Sequence, residues 1–131
     1  MKTLTVKQPW ATLLVCGKKT IETRPWKTKY RGTVAIHAGK NIDPNGPWDR
    51  MLATHYPMGV VVGFGQLVEC RPMTMDDEDA ALCKWRNGLY AWVFDSAYAY
   101  PGAPYQMRGQ LGLYTAKIPM PWSVVSLKEP A

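Results

Sequence analysis

Three consecutive valines, Val60 to Val62, followed at once by Gly63, Phe64 and Gly65, constrain the fold of this chain more than any other feature. An unbroken β-branched run reads as a strand buried on both faces, and the spacing predicts one over Gly59 to Val68. Glycines inside such a strand mark a sharp bend or a close pass of another backbone. A small closed sheet demands both, and closure removes exposed strand edges.

The rest of the chain supplies short elements rather than a βαβ series. Thr3 to Val6 alternates and reads as an edge strand. Pro9 suits the first turn of a short helix carrying Trp10, Leu13 and Leu14, with Gly17 as its stop. Thr20 to Arg24 reads as a strand with Ile21 and Thr23 facing inward and Glu22 and Arg24 on the other face, ended by Pro25. A basic turn over Lys27 to Gly32 leads to a strand over Thr33 to His37, which stops at Ala38, Gly39 and Lys40.

Trp48, Met51 and Leu52 suggest one short helix, and Thr74 to Trp85 another, capped by Thr74 with Asp76, Asp77 and Glu78 in its first turn. Tyr90 to Phe94 and Leu111 to Ala116 read as strands joined by a long Tyr-, Pro- and Gly-rich loop. The expected fold is α+β: a small, mostly antiparallel β-barrel flanked by two or three helices. At 131 residues, 47% of them apolar, it fits one domain over 1–131 with a core of its own.

Charge is distributed unevenly. Residues 1–40 hold nine Lys or Arg against Glu22 alone, a net of +8, whereas residues 41–131 hold seven against nine acids, a net of −2. A local field of that sign attracts phosphates. Cys16, Cys70 and Cys83 are far apart, the only histidines are His37 and His55, and no HExxH occurs, so no metal site is expected. No GxGxxG opens a helix and no Walker loop is present, so no nucleotide cofactor is expected either. The odd cysteines and the brief apolar stretch Ala11 to Cys16 point to a cytoplasmic chain without a membrane span.

Gly17-Lys18-Lys19-Thr20-Ile21-Glu22-Thr23-Arg24 is the densest chemical segment. On a strand, Glu22 and Arg24 point the same way, with Lys18 or Lys19 at the preceding corner. Arg24 and a lysine could grip phosphate or a base edge; a neutral lysine could act as nucleophile or base with Glu22 moving the proton; or Glu22 and Arg24 could simply form an internal pair. Trp10, Trp26 and Tyr30 alternate with Lys7, Lys27, Lys29 and Arg31, the mixture met where bases stack and phosphates are neutralised. His37 is placed to line the same cleft as Arg24, and Lys40 closes the basic stretch.

Four segments occur together: Val6-Lys7-Gln8-Pro9-Trp10-Ala11, the Gly17 to Arg24 segment, Tyr30-Arg31-Gly32 with Ile36-His37-Ala38, and Gly109-Gln110-Leu111-Gly112-Leu113-Tyr114. In this order they resemble the ASCH domain family. The resemblance implies a PUA-like β-barrel with a cleft between barrel and helices, binding RNA or a modified nucleoside. Lys19, Glu22 and Arg24 fall on the family's polar cleft motif, with Gln8 and Trp10 near its rim.

Known activities of the family include RNA binding, ribonuclease action and hydrolysis of N4-acetylcytidine. The amidohydrolase branch resembles this chain in part: its catalytic lysine corresponds to Lys19, its threonine falls on Glu22, and its carboxylate falls somewhere among Asp76, Asp77, Glu78 and Asp79. The expectation is a nucleic-acid-binding module that prefers RNA, through Lys7, Gln8, Trp10, Lys18, Arg24, Trp26, Tyr30, Arg31, His37 and Lys40, although the same phosphate chemistry admits DNA. The alternative is a metal-independent hydrolase of RNA or a modified nucleoside, with Lys19 and Glu22 as its catalytic groups.

Overall fold

A computed structural model of the chain describes residues 1–48 and 56–120. In chain order the elements are β1 (Lys2–Gln8), α1 (Trp10–Val15), β2 (Ile21–Arg24), β3 (Gly32–Ile42), β4 (Val60–Pro72), α2 (Glu78–Ala81), β5 (Tyr90–Ala99), β6 (Tyr105–Gln106) and β7 (Leu113–Thr115). A 3-10 turn, Met75–Asp77, precedes α2. The strands form one sheet in the order β2-β5-β4-β3-β1-β7, with β6 beside β4. Only the β1–β3 pairing is parallel among these.

Two expectations change here. Thr3 to Val6 is not an edge: β1 lies between β3 and β7, because Thr3, Leu4 and Val6 are all buried and a central place covers both faces. The sheet is also not a closed barrel. Among the described residues its pairing ends at β2 on one side and β7 on the other. Strand β2 is only four residues long, and Pro25 follows with no N–H to extend a ladder. A side chain reaches across instead, as Arg24 Nη2 donates to the Thr5 carbonyl of β1 at 2.9 Å.

The valine run behaves as read, with Val60, Val61 and Val62 all buried. Gly63 is crossed closely on both sides: a Cβ there would stand 2.1 Å from the Tyr98 carbonyl oxygen and 2.7 Å from Val15 Cγ1. At Gly65 it would meet the Phe94 ring at 2.7 Å. Strand β4 can therefore pass under α1 and against β5 at van der Waals distance. The core includes Leu4, Val34, Ile36, Leu67 and Trp92, and Ala11 and Leu14 of α1 pack onto it. Gly17, at φ +82°, stops that helix as expected.

The helix expected over Thr74 to Trp85 shrinks to the 3-10 turn and one turn of α2. Leu82 adopts the left-handed conformation, at φ 57°, and ends it. Beyond that point the chain is held by other bonds: the Trp85 N–H donates to Glu78 Oε2 at 2.7 Å, and its indole donates to the Met73 carbonyl at 2.9 Å. Asp77 does more than face a helix dipole. It accepts the Thr74 N–H at 2.8 Å and grips Arg71 through both carboxylate oxygens, at 2.7 and 2.8 Å.

Of the helix expected around Trp48, residues Met51 and Leu52 lie outside the described residues, as does His55. The Trp48 indole donates to the Asp43 carbonyl at 2.7 Å. No helix among the described residues is long and apolar enough to cross a membrane.

Candidate functional site

A cavity of about 940 Å³ opens between β1, β2, β3, the α2–β5 connection and the segment 107–112. Its floor is the Lys19, Glu22 and Arg24 cluster. Lys19 is 2% exposed; its Nζ donates to the Ala81 carbonyl, stands 3.7 Å from Glu22 Oε1 and lies 4.8 Å from the centre of the Trp10 ring. Glu22 Oε2 accepts from Arg24 Nε at 3.1 Å and Nη2 at 2.9 Å. The internal ion pair and the cleft cluster are thus one arrangement. A carboxylate between two cations fixes both head groups and keeps them from folding onto each other.

Alternation along β2 holds for Ile21, which is buried with Met73, Ala81, Leu89 and Ala91. Thr23 departs from its expected inward position: it is half-buried, lies beside Cys83 Sγ at 3.8 Å and reaches the cavity. The cause is the edge position of β2, which leaves the end of the strand uncovered beyond β5.

His37 forms one wall and is 1% exposed. Its Nε2 lies 2.8 Å from the Met107 carbonyl, which can only accept, so Nε2 carries the proton. Nδ1 then accepts from the Thr5 hydroxyl at 3.1 Å, and that hydroxyl accepts from Tyr114 at 2.7 Å. Gly109 makes this possible. A Cβ there would stand 2.8 Å from Thr5 Oγ1 and 3.0 Å from His37 Cε1, so only glycine lets the 107–112 segment lie against this pair.

Trp10 lines the cavity and donates from its indole to Asp43 Oδ2 at 2.8 Å, which holds the Asp43 carboxyl below its ordinary range. Lys7, Lys40, Lys84, Arg86 and Arg108 are exposed around the opening. Of the residues expected at the site, Lys7, Trp10, Lys19, Glu22, Arg24, His37 and Lys40 come together here.

The others are placed elsewhere. Gln8 is fully buried, where its amide donates to Thr12 Oγ1 and the Pro57 carbonyl and accepts the Thr12 N–H, capping α1. Trp26 packs edge-on against Trp92 at 4.8 Å, and its carbonyl accepts the Trp92 indole N–H. The Tyr30 hydroxyl donates to the Thr33 carbonyl at 2.7 Å. Arg31 folds back on the carbonyls of Thr28 and Tyr30, and Lys18 is exposed away from the cavity.

The ASCH domain family matches residues 4–118. The chain belongs to the ASCH domain family. Activating signal cointegrator 1 of Homo sapiens is 34% identical over 80 residues, and that of Mus musculus 36% over 81; each match covers 51% of this chain. The chain spans only 14% of the length of these relatives. An ASCH protein of Zymomonas mobilis superposes with a TM-score of 0.58 at 15% identity, over 81% of this chain and 73% of that one, and a point mutant of it does so over 75%. Likeness at that identity speaks for the fold alone. ASCH domains are a family associated with RNA binding.

Within this ASCH domain, sequence reasoning missed Thr5, Asp43, Lys84, Arg86, Arg108 and Gly109. The last two belong to or adjoin the Gly109 to Tyr114 segment that carried part of the resemblance, and that was the available signal. Lys84 and Arg86 were hidden by the net negative charge of their part of the chain. Among the described residues no cluster of His, Cys, Asp and Glu could hold a metal ion.

His37 in one pH range, and Asp77 together with Asp43 in a lower one, predict how this ASCH domain responds to acid. Burial pushes the His37 imidazole below 6.5, against the opposing pull of the Met107 and Gly59 backbone. Below pH 6.5 the unfolded chain therefore binds a proton that the folded one resists, and stability falls as pH drops through that range. The Arg71 hydrogen bonds pull Asp77 down from 3.8 to about 2, so its contribution is complete above 3.8 and is lost between there and about 2. Urea unfolding across pH should show two separate losses of stability, and His37→Gln should flatten only the upper one. A midpoint that does not change between about pH 7 and 5 would refute the assignment to His37.

Proposed function

We propose that this cleft binds RNA, seating one nucleotide in the cavity and holding the flanking phosphates at its rim. The observation that carries the reading is the set of exposed cations around a nucleotide-sized cavity: Lys40, Lys84, Arg86 and Arg108 make no ion pair with any described residue. A cavity of about 940 Å³ lies within the usual range for small-ligand sites. Cations left unpaired around it are free to exchange counterions for phosphates. Membership of a family associated with RNA binding supports the same reading.

The hydrolase alternative draws less support from the geometry. The Lys19 head group is held by the Ala81 carbonyl and the Trp10 ring and stands 3.7 Å from Glu22 Oε1, an arrangement that anchors the amine to the protein. Among the described residues the carboxylates lining the cavity are Glu22 and Asp43; none of Asp76, Asp77, Glu78 and Asp79 is among them. Turnover of N4-acetylcytidine that disappears in Lys19→Arg would reinstate that alternative.

Affinity for a single-stranded RNA should fall steeply with salt. With about four phosphates neutralised, raising salt from about 50 to 200 mM weakens binding roughly 50-fold, and Lys84→Ala or Arg108→Ala each lowers the slope by about 0.7. Fluorescence anisotropy across a salt series measures both. Binding that ignores salt, or none at about 50 mM, would rule against the reading.

A further inference from the structure

Glu22 holds two carboxylate oxygens in unlike surroundings. Oε2 takes both hydrogen bonds from Arg24, whereas the nearest cation to Oε1 is Lys19 Nζ at 3.7 Å, beyond hydrogen-bonding reach. The side chain is only 9% exposed, and it borders the cavity. Among the described residues no donor lies within hydrogen-bonding reach of Oε1, and a ligand N–H brought to it would supply one. A phosphate cannot supply that contact, because it carries the same charge and no N–H. The rim has the opposite character, with Lys40, Lys84 and Arg108 free to take phosphate.

We infer that the cavity takes its nucleotide base first and that Glu22 Oε1 accepts a hydrogen bond from an exocyclic amine, favouring adenine, cytosine and guanine over uracil. This rests on the RNA reading above. Uracil in RNA offers a single N–H, set between two carbonyl oxygens that a carboxylate repels. An amino-bearing base offers a donor at its edge, where a recessed oxygen can be met without that repulsion.

Arg24 also dictates what an amide would do at this position. Its Nε and Nη2 both donate toward Oε2, so in Glu22→Gln the amide oxygen turns to Arg24 and the NH2 turns into the cavity. The acceptor becomes a donor, suited to a carbonyl rather than an amine.

The test uses the parent chain with short ribo-oligonucleotides of one length that differ at a single central base: cytosine, uracil, or 2-pyrimidinone, which is cytosine without its amine. Cytosine should bind at least about tenfold tighter than 2-pyrimidinone, and uracil should fare no better than the latter. Equal affinity for cytosine and 2-pyrimidinone overturns the inference while leaving the RNA reading standing. No binding of any of the three at low salt overturns the RNA reading itself. Glu22→Gln should reverse the order of cytosine and uracil; a folded variant that keeps cytosine ahead by the parent ratio also overturns the inference. If the variant does not fold, the amine-deletion series on the parent chain decides alone.

Discussion

Gly63→Ala is expected to destabilise the fold by about 4 kcal/mol or more, a loss that places it among the most damaging single substitutions. The added methyl would lie 2.1 Å from the Tyr98 carbonyl oxygen, which is backbone held in the β4–β5 ladder, and 2.7 Å from Val15 Cγ1. Val15 could turn aside, but the carbonyl cannot move without breaking strand pairing. Gly65→Ala provides the control. There the methyl meets the Phe94 ring, a buried side chain rather than strand backbone, and the loss should be about 1–3 kcal/mol. For a chain of this size each kcal/mol shifts the melting temperature by roughly 3–5 °C, so thermal and urea unfolding resolve the two. A Gly63→Ala loss no larger than that of Gly65→Ala would contradict the close approach of β5 to β4.

The second large effect concerns the cavity floor. Glu22→Ala removes the carboxylate that serves both Lys19 and Arg24, leaving a lysine of 2% exposure with only a carbonyl and an aromatic face. Stranding a buried charge in this way costs about 3–5 kcal/mol. Lys19→Met should cost less, about 1–2 kcal/mol, since Glu22 keeps Arg24 and the buried cation disappears with its partner's need for it. Combining Lys19→Met with Glu22→Leu should recover much of the Glu22→Ala loss, because a buried ion pair is often replaceable by packing. Chemical denaturation of the three variants checks the ordering. If Glu22→Ala proves no worse than Lys19→Met, the carboxylate is not what holds the cluster.

Periodicity read the floor of the site well and the surrounding surface poorly. Glu22 and Arg24 share a face because a strand repeats every two residues, and Lys19 precedes them at the corner; nothing distant had to be known. Trp26 and Tyr30 alternate with lysines as a stacking platform would, yet a Trp that packs on Trp92 produces the same local pattern. Gln8 read as a polar rim residue, but its amide is consumed by the first turn of α1, a contact set by the angle at which the chain enters the helix.

Long-range placement accounts for the remaining differences. The acids Asp76 to Asp79 cancel Lys84, Arg86 and Arg108 in a charge sum, although in space the latter three meet at the cavity and the acids do not. The helix expected to Trp85 stops early because Leu82 turns left-handed and the Trp85 indole is drawn to the Met73 carbonyl. The barrel failed to close for a similarly local reason, four residues of β2 followed by proline.

Thr5 gives the cleft a property that loops rarely have. Its carbonyl holds Arg24, its hydroxyl links Tyr114 to His37, and it sits in a strand paired to β3 on one side and bordered by β7 on the other. Floor and wall are therefore set by the same rigid strand before any ligand arrives. A ligand that contacts this floor and wall meets side chains already held in place, so less of that contact free energy is spent on ordering the protein.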